Sequence, residues 1–66
     1  LVVTRSRDAA LADAAATALA NLLKNAAAMD RVLALAQQWE ATGLDGVFAQ
    51  CEGRVGVWGR MQLDVL

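Results

Sequence analysis

Apolar and polar positions change period twice along this chain. Leu1 to Thr4 is a short β-branched run closed by Arg5-Ser6-Arg7, which predicts a strand feeding a helix. From Asp8 to Ala28 eleven of twenty-one residues are alanine, and no glycine or proline interrupts them. That predicts one long helix, with Ser6 as N-cap and Asp8 in the first turn, where the helix dipole favours negative charge. Asp30 is expected to cap a second helix to about Ala41, with Val32, Leu33, Leu35, Ala36 and Trp39 at core-facing spacings. Gly43 supplies a left-handed stop, and Leu44 suits the hydrophobic contact that accompanies one.

Beyond Gly46 the period becomes strand-like. Val47 to Cys51, Arg54 to Trp58 and Met61 to Val65 are separated by the two-residue breaks Glu52-Gly53 and Gly59-Arg60. In the last pair Trp58 would face Met61 and Gly56 would face Leu63. The predicted fold class is α+β: a strand, a long alanine-rich helix, a second helix and a three-stranded antiparallel meander. Leu1 to Thr4 would join the sheet, with both helices on one side of it. The expected core is Val3, Leu11, Ala15, Leu19, Leu22, Val32, Leu35, Trp39, Phe48, Val55, Val57 and Leu63.

The first helix is unusual around its circumference. Asp13, Thr17, Asn21 and Lys24 follow at spacings of four, four and three, so the polar positions stack on one line while alanine and leucine cover the rest. A helix apolar nearly all round is normally buried, and one short helix with a few strands offers little to bury it. The expectation is a piece of a longer polypeptide, whose further sequence packs against this helix. A copy of the same chain is the other possible cover.

Composition narrows the chemistry. The 66 residues are 58% hydrophobic and 20% charged, with no proline and a formal net charge of −1. This excludes a disordered tail and gives no electrostatic case for nucleic acid or an anionic membrane surface. With no histidine and one cysteine, Cys51, neither an internal disulfide, a zinc site nor a Cys/His nucleophile can be built. Arg5 and Arg7 follow the apolar Leu1-Val2-Val3 instead of preceding it, unlike a secretory signal; the compartment stays open, with a cytoplasmic setting slightly favoured. A membrane span is disfavoured by the recurrence of Asp13, Thr17, Asn21 and Lys24.

Asp13 and Thr17, one turn apart, are a carboxylate and a hydroxyl that can share a hard cation such as magnesium. The plain alternative is that the whole stripe is the solvated edge of a helix. Cys51 reads as a small strand hydrophobe, and Trp39 and Trp58 read as core or interface aromatics.

The string Thr4-Arg5-Ser6-Arg7-Asp8-Ala9-Ala10-Leu11-Ala12-Asp13-Ala14-Ala15-Ala16-Thr17-Ala18, preceded by a strand, resembles the C-terminal region of the ApbE-like superfamily of FAD:protein FMN transferases. The ending Gly53-Arg54-Val55-Gly56-Val57-Trp58-Gly59 with Leu63 resembles its uncharacterised UPF branch, which looks linked to C1 or tetrahydromethanopterin metabolism. The likeness implies that Asp13 and Thr17 are magnesium ligands and that the metal contacts the pyrophosphate of FAD. It also implies that residues 1–66 are the C-terminal fragment of a single ApbE-like domain, and that the full-length parent transfers FMN to a protein threonine while the fragment alone is inactive. A related protein without catalysis, or a small self-associating structural module, is the alternative.

Overall fold

The computed structural model of the chain describes residues 1–61. The β-branched start forms strand β1, Val2–Ser6, and the alanine run forms helix α1, Ala9–Leu22. A 3-10 turn at Ala26–Ala28 leads into helix α2, Met29–Gln38, and a second 3-10 turn at Glu40–Thr42 leads out of it. Strands β2, Leu44–Cys51, and β3, Arg54–Gly59, follow. The sheet is antiparallel in the order β1-β2-β3, so the N-terminal strand joins it as expected. The fold is α+β. Met61 lies outside any strand, and the rest of the expected strand Met61 to Val65, with the Gly56 and Leu63 pairing, lies outside the described residues.

The cap of α1 is Asp8, not Ser6. The Asp8 backbone is extended, and its Oδ1 accepts from the amides of Ala10 at 2.9 Å and Leu11 at 3.2 Å. Two amide donors of the first turn are satisfied in this way. Ser6 instead ends the strand: its Oγ accepts from the Asp8 amide at 3.1 Å and donates to the Gly43 carbonyl at 2.9 Å. The predicted long helix also stops early, at Leu22. Asn25 takes an extended backbone and its Oδ1 accepts from the Ala28 amide, so a capping side chain wins over alanine propensity. Asp30 sits inside the first turn of α2, and the cap position is Ala28, with no side-chain bond. Gly43 does stop the second helical segment, at φ 120°.

α1 lies on β1, and α2 lies on β2 and β3. Between them are buried Ala15, Leu19, Leu23, Met29, Val32, Ala36, Leu44, Val47 and Ala49. Ala15, Leu19 and Val32 are core as predicted, while Leu11, Leu35, Trp39 and Phe48 are only half-buried. Leu63 lies outside the described residues. Val3, Leu22, Val55 and Val57 are corrections, being 45%, 46%, 53% and 44% exposed.

The strand errors share one cause. Ala49 pairs with Gly56, and a Cβ on Gly56 would lie 2.8 Å from both Leu33 Cδ1 and Met29 Sδ of α2. The helix therefore occupies the Gly56 face, and because side chains alternate, Val55 and Val57 must point the other way. Val3, Phe48 and Val57 are register partners across the three strands on that opposite face.

Candidate functional site

α1 presents Asp13 and Thr17 on its exposed side, as their four-residue spacing requires. The Thr17 hydroxyl donates to the Asp13 carbonyl oxygen at 3.1 Å, a bond back to the preceding turn. Its proton is thereby committed, while its lone pairs remain able to meet a cation. The Asp13 carboxylate accepts no hydrogen bond among the described residues. The two residues line none of the clefts described below. Asn21 continues the stripe on α1, and Lys24 falls just past the helix end, beside Asn25 and Arg31. Both are exposed.

A carboxylate and a hydroxyl are oxygen donors of the type magnesium takes, and together they would supply at most two of six places in its octahedron. Among the described residues no three of His, Cys, Asp or Glu gather as a metal-holding group. The remaining ligands would come from outside these residues. α1 buries only Ala15 and Leu19. Ala9, Ala10, Ala14, Ala20 and Leu22 stay exposed beside Asp13 and Thr17.

The opposite flank of α1 borders a groove of about 290 Å³ lined by Leu11, Ala14, Ala15, Ala18, Trp39 and Thr42. Cys51 is half-buried, its Sγ 4.0 Å from the Leu23 carbonyl oxygen, which matches a small strand hydrophobe. Trp39 and Trp58 both pack partly against the core. No helix among the described residues is long and apolar enough to cross a membrane.

One grouping escapes the linear reading. Arg5, Ser6, Arg7, Asp45 and Arg60 line a cleft of about 280 Å³ at one end of the sheet. In the sequence Arg5 and Arg7 merely close a strand, and Gly59-Arg60 reads as a turn. Only the pairing of β1, β2 and β3 brings them together.

No protein-family model matches the chain, and no curated protein matches it.

Proposed function

We propose that this chain is the C-terminal part of an ApbE-like protein in which the outer side of α1 faces the rest of the polypeptide and helps hold magnesium. The observation that supports this is the state of α1: a long exposed alanine surface surrounds a carboxylate and a hydroxyl that its own fold does not use. Alanine lets another backbone approach closely, so such a surface suits a neighbouring layer better than open water.

In this reading Asp13 contributes the charge and Thr17 a neutral oxygen, its proton held by the Asp13 carbonyl. The bound metal would supply Lewis-acid polarisation of a phosphoryl group of FAD. Asp13 and Thr17 hold and orient, the parent supplies the flavin pocket and the remaining ligands, and the acceptor threonine belongs to the protein that is modified.

The test is Asp13→Ala in the full-length protein, with magnesium and FAD titrated by calorimetry. Loss of magnesium affinity is expected, and unchanged affinity for both refutes the assignment. Mass spectrometry of a candidate acceptor incubated with the full-length protein and FAD then separates an FMN transferase, which adds one FMN and releases AMP, from a binding protein, which adds nothing.

A second reading is a self-associating structural module. It is favoured by the exposure of Val3, Val55 and Val57 on one sheet face and of Leu22 on α1. Light scattering of the 66-residue chain distinguishes it. A folded, discrete oligomer supports the module, whereas an unfolded or aggregated peptide supports the larger parent.

A further inference from the structure

Three arginines from opposite ends of the chain meet at one end of the sheet, and two glycines bring them there. Arg5 of β1 pairs with Gly46 of β2, which pairs with Gly59 of β3. Gly59 turns the chain with φ 77°, and a Cβ there would strike the Asp45 carbonyl oxygen. A Cβ on Gly46 would lie 2.8 Å from the Arg60 carbonyl oxygen and 3.0 Å from its amide nitrogen. The Arg60 backbone thus occupies the space that a side chain at position 46 would fill.

The Arg60 amide donates to the Asp45 carbonyl at 2.9 Å, which fixes this crossing. Arg60 is carried over β2 toward β1. There the register shifts between Arg5 and Ser6, and Arg7 follows.

The cleft so formed is about 280 Å³ and is lined by Arg5, Ser6, Arg7, Asp45 and Arg60. Among the described residues its charge is unbalanced, three guanidiniums against one carboxylate. The one ion pair among the described residues joins Arg54 to Asp30, which do not belong to this cleft. Among the described residues, therefore, none of the three arginines is held by a carboxylate at ion-pair distance. Ser6 is a fixed wall, because its hydroxyl already donates to Gly43 and accepts from Asp8. Gathered guanidiniums repel one another, and an anion between them removes that cost. Their planar forks match the oxygens of a phosphate group.

We propose that this cleft is an oxyanion site that takes a phosphate group between Arg5, Arg7 and Arg60. It stands independently of the magnesium reading, since it uses neither Asp13 nor Thr17.

The experiment is an NMR titration of the chain at 0.1 M chloride with inorganic phosphate and, separately, with phenyl phosphate. The expected result is saturable shifts confined to the amides of Gly46, Gly59 and Arg60 and to the Nε protons of Arg5, Arg7 and Arg60. Arg5→Gln and Arg60→Gln should each weaken binding about fivefold, since each removes charge-assisted bonds at a solvent-exposed site. Arg31→Gln, outside the cleft, should change nothing. Tighter binding of phenyl phosphate would identify an organic ester as the source, and equal binding free phosphate; both support the site. Shifts spread evenly over Arg31 and Arg54 would overturn it. So would affinity unaffected by Arg5→Gln and Arg60→Gln, or the lack of any saturable shift. The three arginines are exposed, so the variants keep the fold.

Discussion

Gly53 and Gly59 have nearly the same backbone, φ 79° and 77°, but different surroundings, and this separates two costs that usually arrive together. Replacing either by alanine forces a side chain into the left-handed region, at about 1 to 2 kcal/mol. At Gly53 that is the whole cost, because nothing lies within 4 Å of the new Cβ. At Gly59 the Cβ would strike the Asp45 carbonyl oxygen and sit 2.9 Å from the Gly46 Cα. Both obstacles are backbone, which cannot swing aside as a side chain would. Relief requires the end of β3 to lift from β2, breaking the bond from the Arg60 amide to Asp45, worth about 1 kcal/mol net. Gly59→Ala should therefore cost about 2 to 4 kcal/mol and exceed Gly53→Ala by at least about 1 kcal/mol. A domain of this size rarely holds more than about 3 to 5 kcal/mol, so the first variant should be partly unfolded and the second folded. Equilibrium urea unfolding followed by tryptophan fluorescence reads the difference, since Trp58 adjoins Gly59 and Trp39 packs on the core. Equal midpoints with equal slopes for the two variants would refute the reasoning.

Three further outcomes follow from the packing and the caps. Leu19 is fully buried, and Leu19→Ala should cost about 2 to 5 kcal/mol in a thermal melt; a loss under 1 kcal/mol would mean that α1 is not docked on the sheet. Asp8→Ala should remove about 1 kcal/mol by uncapping α1, while Asp13→Ala should stay within about 0.5 kcal/mol, and circular dichroism melts giving the reverse order would place the cap elsewhere. Glu52 holds φ 52° beside Gly53 in the β2–β3 turn, so Glu52→Asn should raise the urea midpoint by the equivalent of about 0.5 kcal/mol, and a lowered midpoint would contradict the strain assigned there.

The elements were readable because local rules decide them. A β-branched run, an alanine run, a glycine stop and the Glu52-Gly53 break each act over a few residues, and the order of strand, helix, helix and two strands follows. What local rules leave open is which competing local bond prevails. Ser6 and Asp8 are both good caps, and Asp8 prevails because Ser6 is engaged with Gly43, a residue far away in the chain. Asn25 could have continued the alanine helix, but its cap lets Leu23 turn into the core and starts the segment that buries Met29.

Strand parity and the arginine cleft were unreadable for a single physical reason, the meaning of a glycine. In the sequence Val55-Gly56-Val57 looks like two core positions around a spacer. In the fold the spacer is the core position, because α2 presses Met29 and Leu33 against the one residue with no side chain to displace them. Gly46 works likewise on the other face, where the missing side chain admits the Arg60 backbone and turns a strand end into one wall of a cationic cleft. A hydropathy pattern scores a side chain for what it is, whereas these positions matter for what passes through the space left empty. Asp13 and Thr17 are the opposite case: helix spacing alone puts them on one side of α1, so that pair was evident from the sequence. Arg5, Arg7 and Arg60 needed three strands in register before their charges could act together.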